Sequence, residues 1–237
     1  MNEFLNNFNN DIIWSISLTL GIYFIFFIVQ KKTKITLLNP LLLSSIIIIL
    51  ILLLFKIDSN KYLSGTKFIT FLIAPATVSL AIPLYENIPV IKKNWKLLLV
   101  SIFSGVTFHA LLVGIIAITM KFSPELLASF LPKSVTTPIA IDISKSLGGI
   151  ENLTVIMVVL TGILGATVGP LVFKVFNIKS KMAQGLSLGL SSHAVGTSKA
   201  SELGEVEKSF STIALILTGI TTVLLSPLFY KLIMLFL

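Results

Sequence analysis

The sequence predicts an all-α polytopic membrane protein, with about five clear spans, about three broken or re-entrant helical stretches and an internal repeat of roughly 57 residues. Three observations carry that expectation. Of 237 residues, 55% are hydrophobic and only 12% charged, whereas a soluble domain carries about 25% charged residues. Apolar runs long enough to cross a bilayer recur along the chain. Between them lie stretches rich in Pro, Gly, Ser and Thr. Backbone that is not helical at membrane depth survives only where protein or a watery cavity satisfies its polar groups.

The remaining composition narrows the function classes. The net charge of +8 comes from lysines clustered between apolar runs, where loops at a membrane surface put them. It is a topology signal, so no nucleic-acid partner is expected. The absence of cysteine excludes disulfides, thiolate metal sites and cysteine nucleophiles. No metal-ligand spacing, phosphate loop or hydrolytic triad groups the His, Ser and Asp residues. The expectation is therefore no enzyme, no catalytic residue, no metal and no cofactor.

The elements follow in order. Met1–Asp11 is a polar, Asn-rich tail, and Ile12–Val29 is the first span. It is too long for the apolar core of a signal peptide and lacks a small-residue cleavage site, so it reads as retained. Lys31, Lys32 and Lys34 form a basic loop that argues for the cytoplasmic side. Asn39-Pro40 opens a second span to about Phe55, since proline at a helix start loses no intrahelical bond. A polar loop, Lys56–Lys67, precedes Phe68–Tyr85, which holds the first broken stretch, Ala74–Tyr85. There Pro75 and Pro83 each remove a backbone donor, and Thr77 and Ser79 are placed to satisfy freed carbonyls.

Glu86–Lys96 is a second basic loop and Leu97–Met120 a uniform span containing His109. Ser123–Phe130 opens with Ser-Pro-Glu, a helix start, and is too short to cross. The central broken stretch, Lys133–Gly149, follows Pro132, contains Pro138 and ends in Gly148-Gly149. Leu153–Phe173 is a span, Asn177–Lys181 is basic, Gly185–Ala200 is the third broken stretch, Ser201–Lys208 is acidic and Ser209–Tyr230 is the last span.

Part of this pattern repeats. Leu160-Thr161-Gly162-Ile163, Pro170-Leu171 and Lys174 reappear as Leu217-Thr218-Gly219-Ile220, Pro227-Leu228 and Lys231, a constant shift of 57 (217 − 160). Upstream, Ser144-Lys145, Leu147-Gly148 and Glu151 match Ser198-Lys199, Leu203-Gly204 and Glu207 with a two-residue insertion. The expected organisation is one domain, 1–237, with N-terminal spans at 1–67, a weaker repeat unit at 68–129 and clearer units at 130–181 and 182–237. Repeats containing broken helices are the pattern of secondary transporters. If each broken stretch crosses the membrane the repeat is parallel; if it turns back the repeat is inverted. Asn177–Lys181 falls on the cytoplasmic side only if the central stretch turns back, so charge mildly favours re-entry.

The broken stretches also locate chemistry. Half-helix N-termini present unpaired N–H groups and the positive end of a dipole, which suits an anion. Ser134, Thr136, Thr137, Ser191, Ser192 and Thr197 add hydroxyls around Pro138 and Gly196, and Lys133 adds a full positive charge. His193 is the candidate for proton coupling, because its ordinary pKa lies nearest neutrality. Asn39, Pro75, Thr77, Pro83, Gly148 and Gly149 are candidates for either substrate contact or structure. Asp142 and Lys145 need partners or a place near the surface. Plainer readings stand beside these: Pro138 as a kink, Gly185 and Gly189 as helix-packing faces, Lys133 as a snorkelling anchor, and His193 as a neutral hydrogen-bonded side chain.

At these residues the chain resembles the LrgB/CidB family. The resemblance lies in Pro75-Ala76-Thr77-Val78 with Ala81 and Pro83-Leu84-Tyr85, in Lys133 to Ala140 with Gly148-Gly149, and in Ser191-Ser192-His193-Ala194 with Gly196-Thr197. It runs from about Asn39-Pro40 onward and departs at Ala74, where the family usually has Gly, and at Ser79, where Ala is usual. The resemblance implies two functions. One is antiholin-like control of murein hydrolase export or activity and of autolysis, exerted with a small LrgA/CidA-like membrane partner. The other is transport, as in relatives linked to pyruvate uptake and plastid relatives that move glycolate and glycerate. Broken, hydroxyl-lined repeats suit a carrier better than a simple pore former. The expectation is a transporter of a small monocarboxylate in a bacterial cytoplasmic membrane, proton-coupled, working with that partner and able to self-associate.

Overall fold

The computed structural model describes residues 11–33, 38 and 40–237. The N-terminal tail before Asp11, Lys34 of the first basic loop and Asn39 fall outside the described residues. Among these residues the structure is helical throughout, and it divides into two compact units, residues 1–78 and 79–237.

The first unit contains α1 (Asp11–Thr33), α2 (Pro40–Leu54), α3 (Ser59–Gly65) and α4 (Lys67–Phe71). The helix α2 starts on Pro40 as expected, but its 15 residues reach only about 22 Å at 1.5 Å per residue, short of the bilayer's apolar core. The side chain of Asp58 caps α3 by accepting from the Asn60 N–H at 2.9 Å. Tyr62 of α3 meets α1 through a 2.7 Å hydrogen bond between its hydroxyl and that of Thr19, and through an edge contact with Trp14.

The helix α5 (Ile73–Ser79) carries the chain into the second unit, where α6 (Ala81–Glu86) begins. From Lys67 to Glu86 the chain is apolar enough to cross a membrane. The first broken stretch therefore reads in the structure as a span interrupted at single residues, Leu72 and Leu80.

The second unit continues with α7 (Ile88–Thr119), α8 (Pro124–Phe130), α9 (Thr137–Ser146), α10 (Glu151–Val175), α11 (Lys181–Leu203) and α12 (Glu205–Met234). The basic loop expected at Glu86–Lys96 is helical from Ile88, with a break at Asn94 beside Trp95. Three helices of this unit, α7, α10 and α12, are long and apolar enough to cross a membrane. Leu98, Ile102 and Val106 of α7 pack on Phe210, Ile213 and Ala214 near the start of α12, while Gly114 of α7 faces Ile233 near its end. These two helices thus run parallel. The helix α10 opposes α11's first half, because Gly165 meets Ser192 and Gly169 meets Leu188.

The decisive feature is α11. A Cβ on Gly185 would strike the backbone of Glu207, and one on Gly189 that of Ser211, so the first half of α11 runs parallel to α12. The second half runs back: the Thr197 hydroxyl lies 2.9 Å from that of Ser211, Leu188 packs with Ala200, and Gly196 rests on the Leu188 carbonyl. The chain reverses at His193, whose φ of 42° and ψ of −128° break the helix. So α11 is a helical hairpin that returns to the face from which it came.

The segment from α8 to α9 does the same from the opposite face. It leaves the end of α7, and Leu127 and Leu131 pack with Ala110, Val113 and Ile233. It turns between Leu131 and Thr136, and α9 then runs antiparallel to α10, with Ala140 beside Val158 and the Thr154 hydroxyl bonded to that of Ser144 at 2.7 Å. The pair Gly148-Gly149 closes this excursion. Gly148 takes a φ of 78°, its N–H bonds to the Lys145 carbonyl, and the Gly149 N–H bonds to that of Ser144 at 2.7 Å. This is the helix stop that glycine favours. Gly149 also lies against the Ala128–Ser129 backbone, where a Cβ would come within 3.0 Å. The two glycines are therefore structural.

The central and third broken stretches both turn back. Lys92, Lys93, Lys96, Lys174, Lys179, Lys181 and Lys208 then lie toward the face where α12 begins, against Lys121, Lys145 and Lys231 toward the other. That asymmetry makes the first face cytoplasmic. Lys145 sits near the outer surface, exposed and 3.8 Å from Glu151. The chain's lack of native cysteine makes the topology directly testable. Single cysteines at Lys179 and Glu205 should label only from the cytoplasmic side, and those at Lys121 and Lys145 only from outside. Labelling of the Lys179 and Glu205 positions from opposite sides would mean that α11 crosses.

Candidate functional site

The two hairpin tips meet on the middle of α10. By the register with α12, the His193 tip lies level with Leu215, ten residues from the start of that helix, or about 15 Å along it. That is half of an apolar core of about 30 Å. Only 5% of His193 is exposed, and its Nε2–H donates to the Val158 carbonyl at 3.0 Å. A carbonyl only accepts, so the proton on this ring is on Nε2. The ring reaches that carbonyl because Gly162, one turn on, has no side chain. A Cβ there would lie 2.7 Å from His193 Cε1 and 2.8 Å from Nε2. The φ and ψ of His193 belong to a region that glycine fills without cost and other residues rarely enter. A strained non-glycine backbone held by a buried ring is a mark of a functional position.

Around this tip the remaining hydroxyls are committed within the hairpin or to α12. Ser191 donates to the Ser187 carbonyl at 2.7 Å and lies 3.0 Å from the Ser192 hydroxyl. Ser192 is fully buried against Gly165. Thr197 bonds to the His193 carbonyl at 3.0 Å as well as to Ser211. Gly196 lets the two halves touch. These residues hold the tip in shape.

The other tip presents uncommitted groups. Thr136 is the residue before α9, with extended backbone (φ −64°, ψ 148°), but its side chain does not cap the helix. Its Oγ1 is buried and has no hydrogen-bond partner among the described residues. Thr137 and Pro138 form the first turn. The bond from the Ala140 N–H to the Thr136 carbonyl at 2.9 Å closes that turn and leaves the N–H groups of Thr137 and Ile139 without intrahelical acceptors. Pro138 has no N–H to leave unpaired, so it begins the helix here and does not kink it. Lys133 and Ser134 lie half-buried in the turn that leads into α9. Among the described residues the Lys133 ammonium forms no ion pair. Val135 and Ala140 pack on Val158, the residue whose carbonyl holds His193. One residue of α10 thus joins both tips.

Three contributors escaped the sequence reading. Gly162 is ordinary in an apolar span, and only the repeated Leu-Thr-Gly-Ile marked it. His109 lies in a uniform span, yet its Nε2–H donates to the Leu131 carbonyl at 3.0 Å, two residues before Lys133. Both histidines of the chain therefore hold a carbonyl at or beside a tip. Thr218 of α12 is 2% exposed, and its Oγ1 has no partner among the described residues. Pro83 lies half-buried on α6. In the other unit, Thr77 donates to the Ile73 carbonyl at 2.8 Å, the local bond expected near Pro75.

A profile of the LrgB-like family matches residues 19–232. The chain belongs to the LrgB-like family. The antiholin-like protein LrgB of Bacillus subtilis is 37% identical over 172 residues, covering 73% of this chain and 74% of that protein. The holin-like protein CidB of Staphylococcus aureus (strain Mu50) is 35% identical over 212 residues, covering 90% and 93%. An uncharacterised protein of Haemophilus influenzae is 36% identical over 208 residues, covering 88% and 90%. No solved structure matches. Membership of the LrgB-like family, together with five helices of spanning length among the described residues, makes the chain a multi-pass bacterial membrane protein.

The contact between Gly162 and His193 gives a prediction. Gly162→Ala should destabilise the folded protein in detergent by about 1–3 kcal/mol, the usual cost of overfilling a packed site. In a His193→Ala background the same change should cost clearly less, because only the Val195 methyl, 3.1 Å away, then crowds the new Cβ and alanine is the better helix former. A thermal-unfolding double-mutant cycle measures the difference. Equal costs in both backgrounds would show that the ring does not occupy the notch.

Proposed function

We propose that this LrgB-like protein is a secondary transporter of a small monocarboxylate of the pyruvate, glycolate or glycerate class. The observation that carries the reading is the tip at Lys133–Thr137. There, within five residues, lie an ammonium with no ion pair among the described residues, a helix N-terminus and a buried hydroxyl with no partner among them. Each favours a carboxylate, and each is costly without one. We read the two hairpin-and-span units as inverted copies. In support, the glycines matched by the 57-residue shift do equivalent work: Gly162 receives the tip at His193, and Gly219 receives Ile139 of α9. Helix N-termini near the midplane at the interface of inverted repeats form the binding sites of several carriers.

In this reading Lys133, Ser134, Thr136 and the first turn of α9 bind the carboxylate. The second tip, Ser191 to Thr197, closes over it. His193 carries the coupled proton on Nδ1, since Nε2–H is held by Val158. A small LrgA/CidA-like membrane protein is the expected partner. In proteoliposomes under an imposed proton gradient, labelled pyruvate, glycolate and glycerate should enter saturably and compete with one another. Lys133→Gln and Thr136→Val should each lower uptake by about tenfold or more, as loss of a buried polar contact does. His193→Gln keeps a distal N–H for the Val158 carbonyl but does not titrate. It should retain exchange of labelled for unlabelled acid and lose uphill uptake driven by the proton gradient. Full proton-driven uptake in that variant would remove His193 from the coupling step.

The names of the relatives favour a second reading: an antiholin-like regulator of murein hydrolase export or activity, acting on autolysis through protein contacts. On that reading partner-dependent autolysis survives Lys133→Gln and Thr136→Val, and well-folded protein carries no acid with or without the partner.

A further inference from the structure

Several threonines of the transmembrane helices bond back onto their own helix, whereas Thr107 of α7 and Thr218 of α12 hold buried hydroxyls with no partner among the described residues. Thr19, Thr119, Thr167 and Thr221 each donate their hydroxyl to the carbonyl four residues back, at 2.7–2.9 Å. That local bond is what a threonine inside a helix makes when nothing else is on offer. Thr218, one turn before Thr221 on the same helix, makes no such bond and no other among the described residues, although it is 2% exposed. Its place in the fold explains what it faces. Glu207, Ser211 and Ala214 are the positions of α12 that meet Gly185 and Gly189 of α11. Thr218 is the next position on that stripe, at i+4, one turn beyond the level of the His193 tip. The adjacent Gly219 touches Ile139 in the first turn of α9. Thr218 therefore stands between the two tips, across from the half-helix that carries Thr136 at its start.

We propose that Thr218 is a specificity-determining residue that hydrogen-bonds the oxygen on carbon 2 of a 2-oxo or 2-hydroxy monocarboxylate whose carboxylate sits at the Lys133–Thr137 tip. This rests on the transporter reading and adds to it a second polar contact from a different helix. The carboxylate occupies the ammonium and the α9 N-terminus. The substituent on the next carbon then meets the one buried hydroxyl on the α12 side of the tips that lacks a partner among the described residues. A site built to hydrogen-bond such an oxygen rejects the analogue that lacks it far more strongly than an apolar pocket does.

The test compares pyruvate with propionate, which has the same length and no oxygen on carbon 2. In proteoliposomes of the full chain, wild type should prefer pyruvate by about tenfold or more in uptake efficiency. Thr218→Val should lose most of that preference by losing pyruvate uptake while leaving propionate uptake within about twofold. Thr218→Ser should keep the preference. The empty Thr218→Val protein should melt no lower than wild type, because the change removes an unpartnered buried hydroxyl, and pyruvate should no longer raise its melting temperature. A preference unchanged in Thr218→Val, or an equal loss for both acids, would overturn the assignment while leaving the carrier standing. Uptake of neither acid by well-folded wild type would overturn the carrier and the assignment together.

Discussion

A helix that stops inside a bilayer strands backbone donors and acceptors where no water answers them, and this constraint governs the second unit. Each of its two breaks is handled differently. At the cytoplasmic hairpin the break is confined to one residue, His193, whose ring reaches out to the Val158 carbonyl while Thr197 bonds the His193 carbonyl. The hydroxyls and the ring N–H of that tip are met by the hairpin itself, by α10 and by α12. At the outer hairpin the turn is longer, the Leu131 carbonyl is met by His109, and the start of α9 stays open. One tip is a finished structural object; the other keeps its polar groups for something else.

Close packing makes the first of these possible. A ring cannot enter the midst of three helices unless each gives way. Gly162 and Gly165 of α10, and Gly185 and Gly189 of α11, are where the Cβ atoms are missing. In lipid, where apolar surface gains little by leaving the solvent, such close approach is the main source of helix association. The glycines of Gly185–Gly196 are thus packing faces and hairpin faces at once. Gly185 and Gly189 seat the first half on α12, and Gly196 seats the second half on the first.

Much of this was legible in the sequence. Low charge and long apolar runs gave the class, and Pro132, Pro138 and Gly148-Gly149 bounded the central excursion where the structure puts it. The lysines of Asn177–Lys181 pointed to re-entry through charge alone. What stayed hidden had no local signal. His109 sits in an unbroken span, and nothing near it in sequence tells that Leu131 will present a carbonyl to it. Thr218 looks like Thr221, and only their hydrogen bonds separate them. Pro75 and Pro83 marked a broken stretch, and the structure interrupts the helix near them at single residues, Leu72 and Leu80.

The asymmetry between the tips also bears on how such a protein could work. If both tips were saturated, the unit would be a rigid plug and nothing would be gained by binding. If both were open, the empty protein would carry two sets of stranded polar groups at midplane and would be poorly stable. One saturated tip fixed to α10 and one open tip facing it leave the cost in one place, at Lys133, Thr136 and Thr218. A ligand that satisfies those groups stabilises only the arrangement in which they converge, and that differential is all a ligand can use to shift a conformational equilibrium. The half-helix of α9 and the hairpin of α11 contact the same residue of α10, one through its side chain and the other through its carbonyl. Relief of that stranded polarity at one tip is therefore felt directly at the packing of the other.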